Sequence, residues 1–87
     1  MKIQFESASF KFIEDLDAKQ CRQVIRKVFA LARNPTPGDS KKIVGNHYLR
    51  ADVGEYRIIY RFDADTVYVV LIGKRNDDEV YKILSRL

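Results

Sequence analysis

The hydrophobic period of this chain switches at a breaker near its middle. From Ala8 to Arg33 apolar residues recur every three or four positions, and beyond the breaker Asn34-Pro35-Thr36-Pro37-Gly38 they alternate. A chain that spells helices first and strands second has to stack one layer on the other, because neither buries its apolar side alone. With 87 residues there is length for one such sandwich, so a single domain spanning 1–87 is expected.

Lys2–Phe5 sets Ile3 and Phe5 against Lys2 and Gln4, the alternation of a short strand. Ser9, Phe12, Ile13 and Leu16 then fall at helical spacing, with Ser7 as the expected cap. Asp17-Ala18-Lys19-Gln20 reads as a capping box in which Gln20 reaches back to Asp17. Behind it Cys21, Val24, Ile25, Val28, Phe29 and Ala32 make an apolar stripe, while Lys19, Arg22, Arg26, Lys27 and Arg33 make a basic outer face. In the second half His47–Asp52 and Tyr56–Phe62 alternate around a turn at Gly54. Thr66–Ile72 is almost wholly apolar, as a central strand requires, and Gly73 is expected to close it. Asp77 or Asp78 is placed to cap a last helix holding Val80, Ile83, Leu84 and Leu87, with Asp77-Asp78-Glu79 as its N-terminal charge cluster rather than a metal site. The fold class is therefore α+β: an N-terminal strand and helix hairpin packed on one face of a twisted antiparallel sheet, then a C-terminal helix.

Composition removes several functions. One cysteine, Cys21, and one histidine, His47, exclude an internal disulfide and argue against a zinc site. Cys21 belongs to the helix stripe and His47 has the inward parity of its strand, so both are expected in the core. The glycines are isolated and form no phosphate loop, and neither a metal nor a cofactor is expected. No apolar run approaches the roughly 18 residues of a membrane span, and Met1–Phe5 is too polar to open a signal peptide, so a cytosolic location is expected. A formal net charge of +4 favours an anionic partner.

Strand parity says what the sheet displays. If Tyr56, Ile58, Tyr60 and Phe62 point inward, Arg57 and Arg61 point out, and Tyr48, Arg50 and Asp52 of the preceding strand share that outer face. Lys74 and Arg75 follow the central strand, where a loop can lean over this patch, and Tyr81 comes soon after Arg75. Arginines and tyrosines on one open face suit phosphate binding and base stacking, although Arg57 could equally bridge Asp52 or Glu55.

Two segments carry a resemblance. Tyr48-Leu49-Arg50-Ala51-Asp52-Val53-Gly54-Glu55-Tyr56-Arg57-Ile58-Ile59-Tyr60 resembles the R-x-R-V-G-[DE]-Y-R-[VIL]-[VIL]-Y strand pair of the RelE/ParE toxin superfamily, and Gly73-Lys74-Arg75-Asn76-Asp77-Asp78-Glu79-Val80-Tyr81 resembles its closing G-[HK]-R-x-x-x-x-V-Y. The resemblance implies a RelE-type messenger RNA interferase, the toxin of a type II toxin–antitoxin pair. Such toxins cut messenger in the ribosomal A site through attack of a ribose 2′-hydroxyl on the adjacent phosphate. It implies that Arg57 stabilises charge on the phosphate, Arg75 serves the transition state and leaving group, and Tyr81 activates or orients the 2′-hydroxyl. Arg50 matches a position proposed to hold the RNA backbone or assist proton transfer, and Arg61, Lys74 and Tyr48, from the displayed patch, are expected as further RNA contacts. The implied partners are a RelB-like antitoxin and messenger RNA on the ribosome.

Physical chemistry supports part of this division. Fixed guanidinium donors aimed at a phosphoryl group need no reorganisation as charge develops. A phenol is a poor base at neutral pH, so Tyr81 is expected to need Arg75 or Lys74 close by to lower its pKa. Asp52 departs from the pattern, standing where a second arginine is common; it either weakens the patch or pairs with Arg50 and fixes its rotamer. The alternative is a ParE-like inhibitor of DNA gyrase that acts by protein contact, and a third is a relative that only binds antitoxin. ParE-like chains tend to lack the closing tyrosine and basic set, which favours the nuclease reading.

Overall fold

The computed structural model describes residues 1–45, 47–76 and 79–86, with Glu79 described by its backbone alone. The elements are β1 (Lys2–Phe5), α1 (Ser7–Glu14), α2 (Ala18–Arg33), β2 (Lys41–Lys42), β3 (Leu49–Val53), β4 (Tyr56–Phe62), β5 (Thr66–Lys74) and α3 (Glu79–Leu84). They build a five-stranded sheet in the order β1-β5-β4-β3-β2. The α+β architecture is as expected, with two additions. β1 pairs with β5 in parallel, Ile3 opposite Val67 and Phe5 opposite Val69. Lys41–Lys42 adds a short edge strand to β3.

Local chemistry explains the helix starts. Asp17 caps α2 by accepting from the Gln20 backbone N–H at 2.8 Å. The Gln20 side chain does not reach back; its Oε1 accepts from the Tyr56 hydroxyl at 2.8 Å and ties the helix to β4. The residue at the cap of α1 is Glu6, not Ser7, and no side chain caps that helix. Ser9 anchors it instead: its buried hydroxyl lies 2.8 Å from the carbonyls of both Glu6 and Val69.

The main core lies between the sheet and the α1–α2 pair. Val24, Val28 and Leu31 of α2 meet Ile58 and Tyr60 of β4 and Val67 and Val69 of β5. The stripe on α2 is turned relative to its expected position: Leu31 is buried, Cys21 only half-buried, and Phe29 is 54% exposed. A helix lying on a flat sheet buries a narrower arc than a helix inside a bundle, and Phe29 falls beyond its edge.

The opposite face of the sheet is not open, as a helix layer on one side alone would leave it. Ile59, Val70 and Leu71 form a second cluster there with Val80 and Leu84 of α3, flanked by Ile43, Tyr48, Tyr81 and Ile83. A β-bulge creates it. Ile59 pairs with Leu71 and Tyr60 with Val69, so Val70 is the extra residue, and consecutive residues Val70 and Leu71 both serve the α3 side. The bulge also settles Gly73, which lies inside β5 opposite Arg57 rather than ending the strand. A Cβ at Gly73 would stand 2.5 Å from Val80 Cγ1, so the missing side chain is what lets α3 settle onto the sheet.

His47 is exposed in the bend before β3, outside the strand whose parity would have turned it inward. Asp77, Asp78 and Leu87, expected as helix caps and as the last apolar anchor, lie outside the described residues, as does the Glu79 side chain of the acidic cluster. No described helix is long and apolar enough to cross a membrane.

Candidate active site

Register places Asp52 directly opposite Arg57 and Arg50 opposite Ile59, so alternate residues of β3 and β4 share the α3 face. Arg57 is the centre of what gathers there. Its Nε donates to Asp52 Oδ1 at 2.7 Å and its Nη2 donates to Asp52 Oδ2 at 3.2 Å, a two-pronged ion pair. Its Nη1 donates to the Tyr81 hydroxyl oxygen at 2.8 Å. The same oxygen accepts from Arg50 Nη1 at 3.1 Å, and the Arg57 guanidinium carbon sits 5.6 Å from the Tyr81 ring centroid.

Seating α3 over Gly73 is therefore what carries Tyr81 to the two arginines. Tyr81 touches Arg50 and Arg57, whereas Arg75 stands apart from it on an exposed turn. That turn is held by the Arg75 backbone N–H, which donates to the Glu55 carbonyl at 3.0 Å. Hydrogen bonding from Arg57 holds the Asp52 carboxyl below the usual range against the opposing effect of burial, and the charges of Arg57, Arg50 and Arg75 act in the same direction. Arg57 is raised in turn, chiefly by its hydrogen bond to Asp52. Of the pairings open to Asp52, the one with Arg57 forms.

The remaining residues expected in the patch are placed differently. Arg61 is four residues beyond Arg57 on the same face, but Ile59, covered by α3, stands between them. Arg61 stacks 3.9 Å over the Tyr68 ring and lies 3.8 Å from Glu6. Lys74 pairs with Tyr56, a residue of the main core, so it leaves the strand on the other side and borders a surface groove with Glu55, Arg75 and Asn76. Tyr48 is half-buried against the α3 cluster and is not a free stacking platform. One residue was overlooked: Lys41, paired with Arg50 across β2–β3, lines a small cleft with Asp39, Arg50 and Asp52. Nothing in its local pattern marks it, because a two-residue strand has no period. Among the described residues, no group of three or more His, Cys, Asp or Glu gathers to hold a metal ion.

Residues 4–79 match the family model for the ParE toxin of type II toxin–antitoxin systems. This chain belongs to that family, within the RelE/ParE superfamily. The match ends two residues before Tyr81. Among solved structures the fold is similar to that of a mutant Escherichia coli toxin RelE in the free state, with a TM-score of 0.80 at 20% identity over 99% of this chain and 96% of that one. It is also similar to the archaeal RelE–RelB complex from Pyrococcus horikoshii, with a TM-score of 0.74 at 20% identity over 87% and 96%. The YoeB/ParE toxin from Agrobacterium tumefaciens gives a TM-score of 0.72 at 19% identity over 86% and 99%. No curated protein sequence matches significantly. The chain is thus a toxin of a type II system by family, and the structural likenesses establish its fold.

Proposed function

We propose that this toxin is an endoribonuclease that cuts messenger RNA in the ribosomal A site. The observation that carries the reading is the meeting of Arg50 and Arg57 on the hydroxyl oxygen of Tyr81. In the reaction the 2′-oxygen bonds to the adjacent phosphorus, the bond to the 5′-oxygen breaks, and a cyclic phosphate and a free 5′-hydroxyl result. One proton leaves the 2′-oxygen and one arrives at the 5′-oxygen. Arg57 faces the charge that builds on the phosphoryl oxygens, and its bond to Tyr81 fixes the fork in advance of that charge. Tyr81 orients the 2′-hydroxyl beside it, Arg50 holds the backbone, and Arg75, on its exposed turn, serves the leaving oxygen. Equipment for proton transfer is sparse, which suits an enzyme whose substrate is aligned by the ribosome, since orientation alone is worth several kcal/mol, on the order of 7 or more in the best cases. Action on ribosomes implies a cytoplasmic location.

A second reading is favoured by one finding. The matching family model is that of ParE toxins, which fits a gyrase inhibitor acting by protein contact. Cleavage of a defined messenger on purified ribosomes, read at codon resolution, separates the two. The nuclease reading expects A-site cuts that Arg57→Ala and Tyr81→Phe each weaken at least tenfold, about 1.4 kcal/mol in barrier. An intact messenger together with blocked gyrase supercoiling would establish the second reading. A RelB-like antitoxin is the proposed protein partner, as in the complex from Pyrococcus horikoshii. Its acidic or amphipathic segment would fold against the toxin, and the groove beside Lys19, Arg22, Arg26 and Lys27 on α2 offers the matching charge.

A further inference from the structure

The seat that a phosphate needs on Arg57 is already occupied from within the chain. Arginine grips phosphate and carboxylate with the same paired donors, and here Nε and Nη2 hold Asp52 while Nη1 holds Tyr81. Three of the five N–H donors are committed in this way. The side chain of Arg57 is only 12% exposed, against 37% for its cross-strand partner Asp52. A phosphodiester arriving from solvent therefore meets the carboxylate before it meets the guanidinium.

We infer that Asp52 is an internal counter-ion that closes the Arg57 seat, so that RNA binds by exchange of the Asp52 carboxylate for a backbone phosphate. The inference rests on the nuclease reading of the same site. The exchange has somewhere to send the carboxylate: Asp52 borders a cleft of about 70 Å³ shared with Lys41, Arg50 and Asp39, in which two cations stand against one other carboxylate, and that carboxylate is already paired with Lys27. The partly exposed carboxylate moves through solvent rather than through the core, so no buried charge is left unpaired on the way. An occupied seat also sets a threshold. Free RNA, which must pay its own ordering entropy, competes poorly with a tethered carboxylate, whereas a phosphate held in place by the ribosome competes well. The specificity this yields is for presented RNA over loose RNA.

The test needs no ribosome. Inorganic phosphate and a trinucleotide with 2′-O-methyl riboses, which cannot cleave itself, are titrated into the whole chain while the Arg57 Nε–H resonance is followed by NMR. Asp52→Asn is expected to bind both probes at least tenfold more tightly than wild type, and Asp52→Glu to behave like wild type. Equal or weaker binding by a folded Asp52→Asn overturns the inference, for Asp52 then orients Arg57 without competing for it. Should Asp52→Asn not fold, wild type decides: at saturating phosphate its Arg57 resonance has to move, and a response confined to Arg75 and Lys74 overturns the proposal. Phosphate exchange without ribosomal cleavage would sink the nuclease reading alone. Ribosomal cleavage without tighter binding by Asp52→Asn would sink this inference alone.

Discussion

Asp52 and Arg57 face each other across the β3–β4 ladder and join through hydrogen bonds of 2.7 and 3.2 Å. The pair links stability to pH with a definite sign. Arg57 depresses the carboxyl, so the folded state holds fewer protons there than the unfolded chain in acid. Its contribution is complete above the ordinary carboxylate value of about 4 and is lost as pH falls through the lowered folded value. With Asp52 still 37% exposed, solvent screening limits the pair to about 1 kcal/mol or less. Asp52→Asn should thus lower stability by that amount at pH 7 and by progressively less as pH falls through the lowered folded value, read from urea midpoints along an acid series. Asp39, lowered by its hydrogen bond to Lys27, and Asp63, lowered by backbone hydrogen bonds in its turn, leave a residual acid limb. A loss that stays constant down the acid series would show that the substitution disturbs packing instead.

Gly73→Ala tests how α3 is seated. The added methyl meets Val80 Cγ1 at 2.5 Å beside a strand that cannot yield, so the helix has to lift. The expected cost is about 1–3 kcal/mol in folding stability. Since Tyr81 follows Val80 directly, lifting α3 also parts the Tyr81 hydroxyl from Arg50 and Arg57. Ribosomal cleavage should fall at least tenfold while the far-UV spectrum is kept. Unchanged cleavage would mean that Tyr81 acts from another position.

What could be read in advance divides along the range of the forces involved. Tyr56–Phe62 alternates cleanly, so its bounds and the outward aim of Arg57 were legible, and Asp17 announced its helix through a contact only three residues long. The bulge at Val70 left no mark, because in a run of apolar residues a shift of register changes no polar pattern. The second cluster was hidden with it, and so was the meeting of Tyr81 with Arg50, which requires Val80 to find the gap at Gly73. The parallel partner of β1 was equally hidden, since four residues of alternation name a strand and not its neighbour.

Ser9 offers a test of the α1–β5 joint. Its buried hydroxyl sits between the Glu6 and Val69 carbonyls, the second of them sixty residues away in sequence. Ser9→Ala removes the donor and leaves a buried carbonyl of β5 with one partner fewer. A loss of about 1–2 kcal/mol is expected from denaturant midpoints. Ser9→Cys, of similar volume but a weaker donor, should fall between the two, and an unchanged midpoint for both would show that water replaces the hydroxyl.

Tyr60 links the centre of the sheet to the breaker that separates the two halves of the chain. Its side chain is fully buried, and its hydroxyl donates to the Pro35 carbonyl at 2.6 Å. Burial raises this phenol above its ordinary value, outweighing the opposing hydrogen bond involving Ser40, with Asp39 adding to the rise. The sign follows from the neutral form being favoured in the folded state: the contribution is whole below the unfolded value of about 10 and is lost as pH rises through the higher folded value. Tyr60→Phe keeps the ring and removes the donor, so at pH 7 it should cost about 1 kcal/mol. Above pH 10 the order reverses in slope, with wild type losing stability to ionisation while the variant does not, and the two alkaline unfolding curves should converge. Parallel curves would mean that Tyr60 does not ionise before the molecule opens, and that the 34–38 segment is held by packing rather than by this bond.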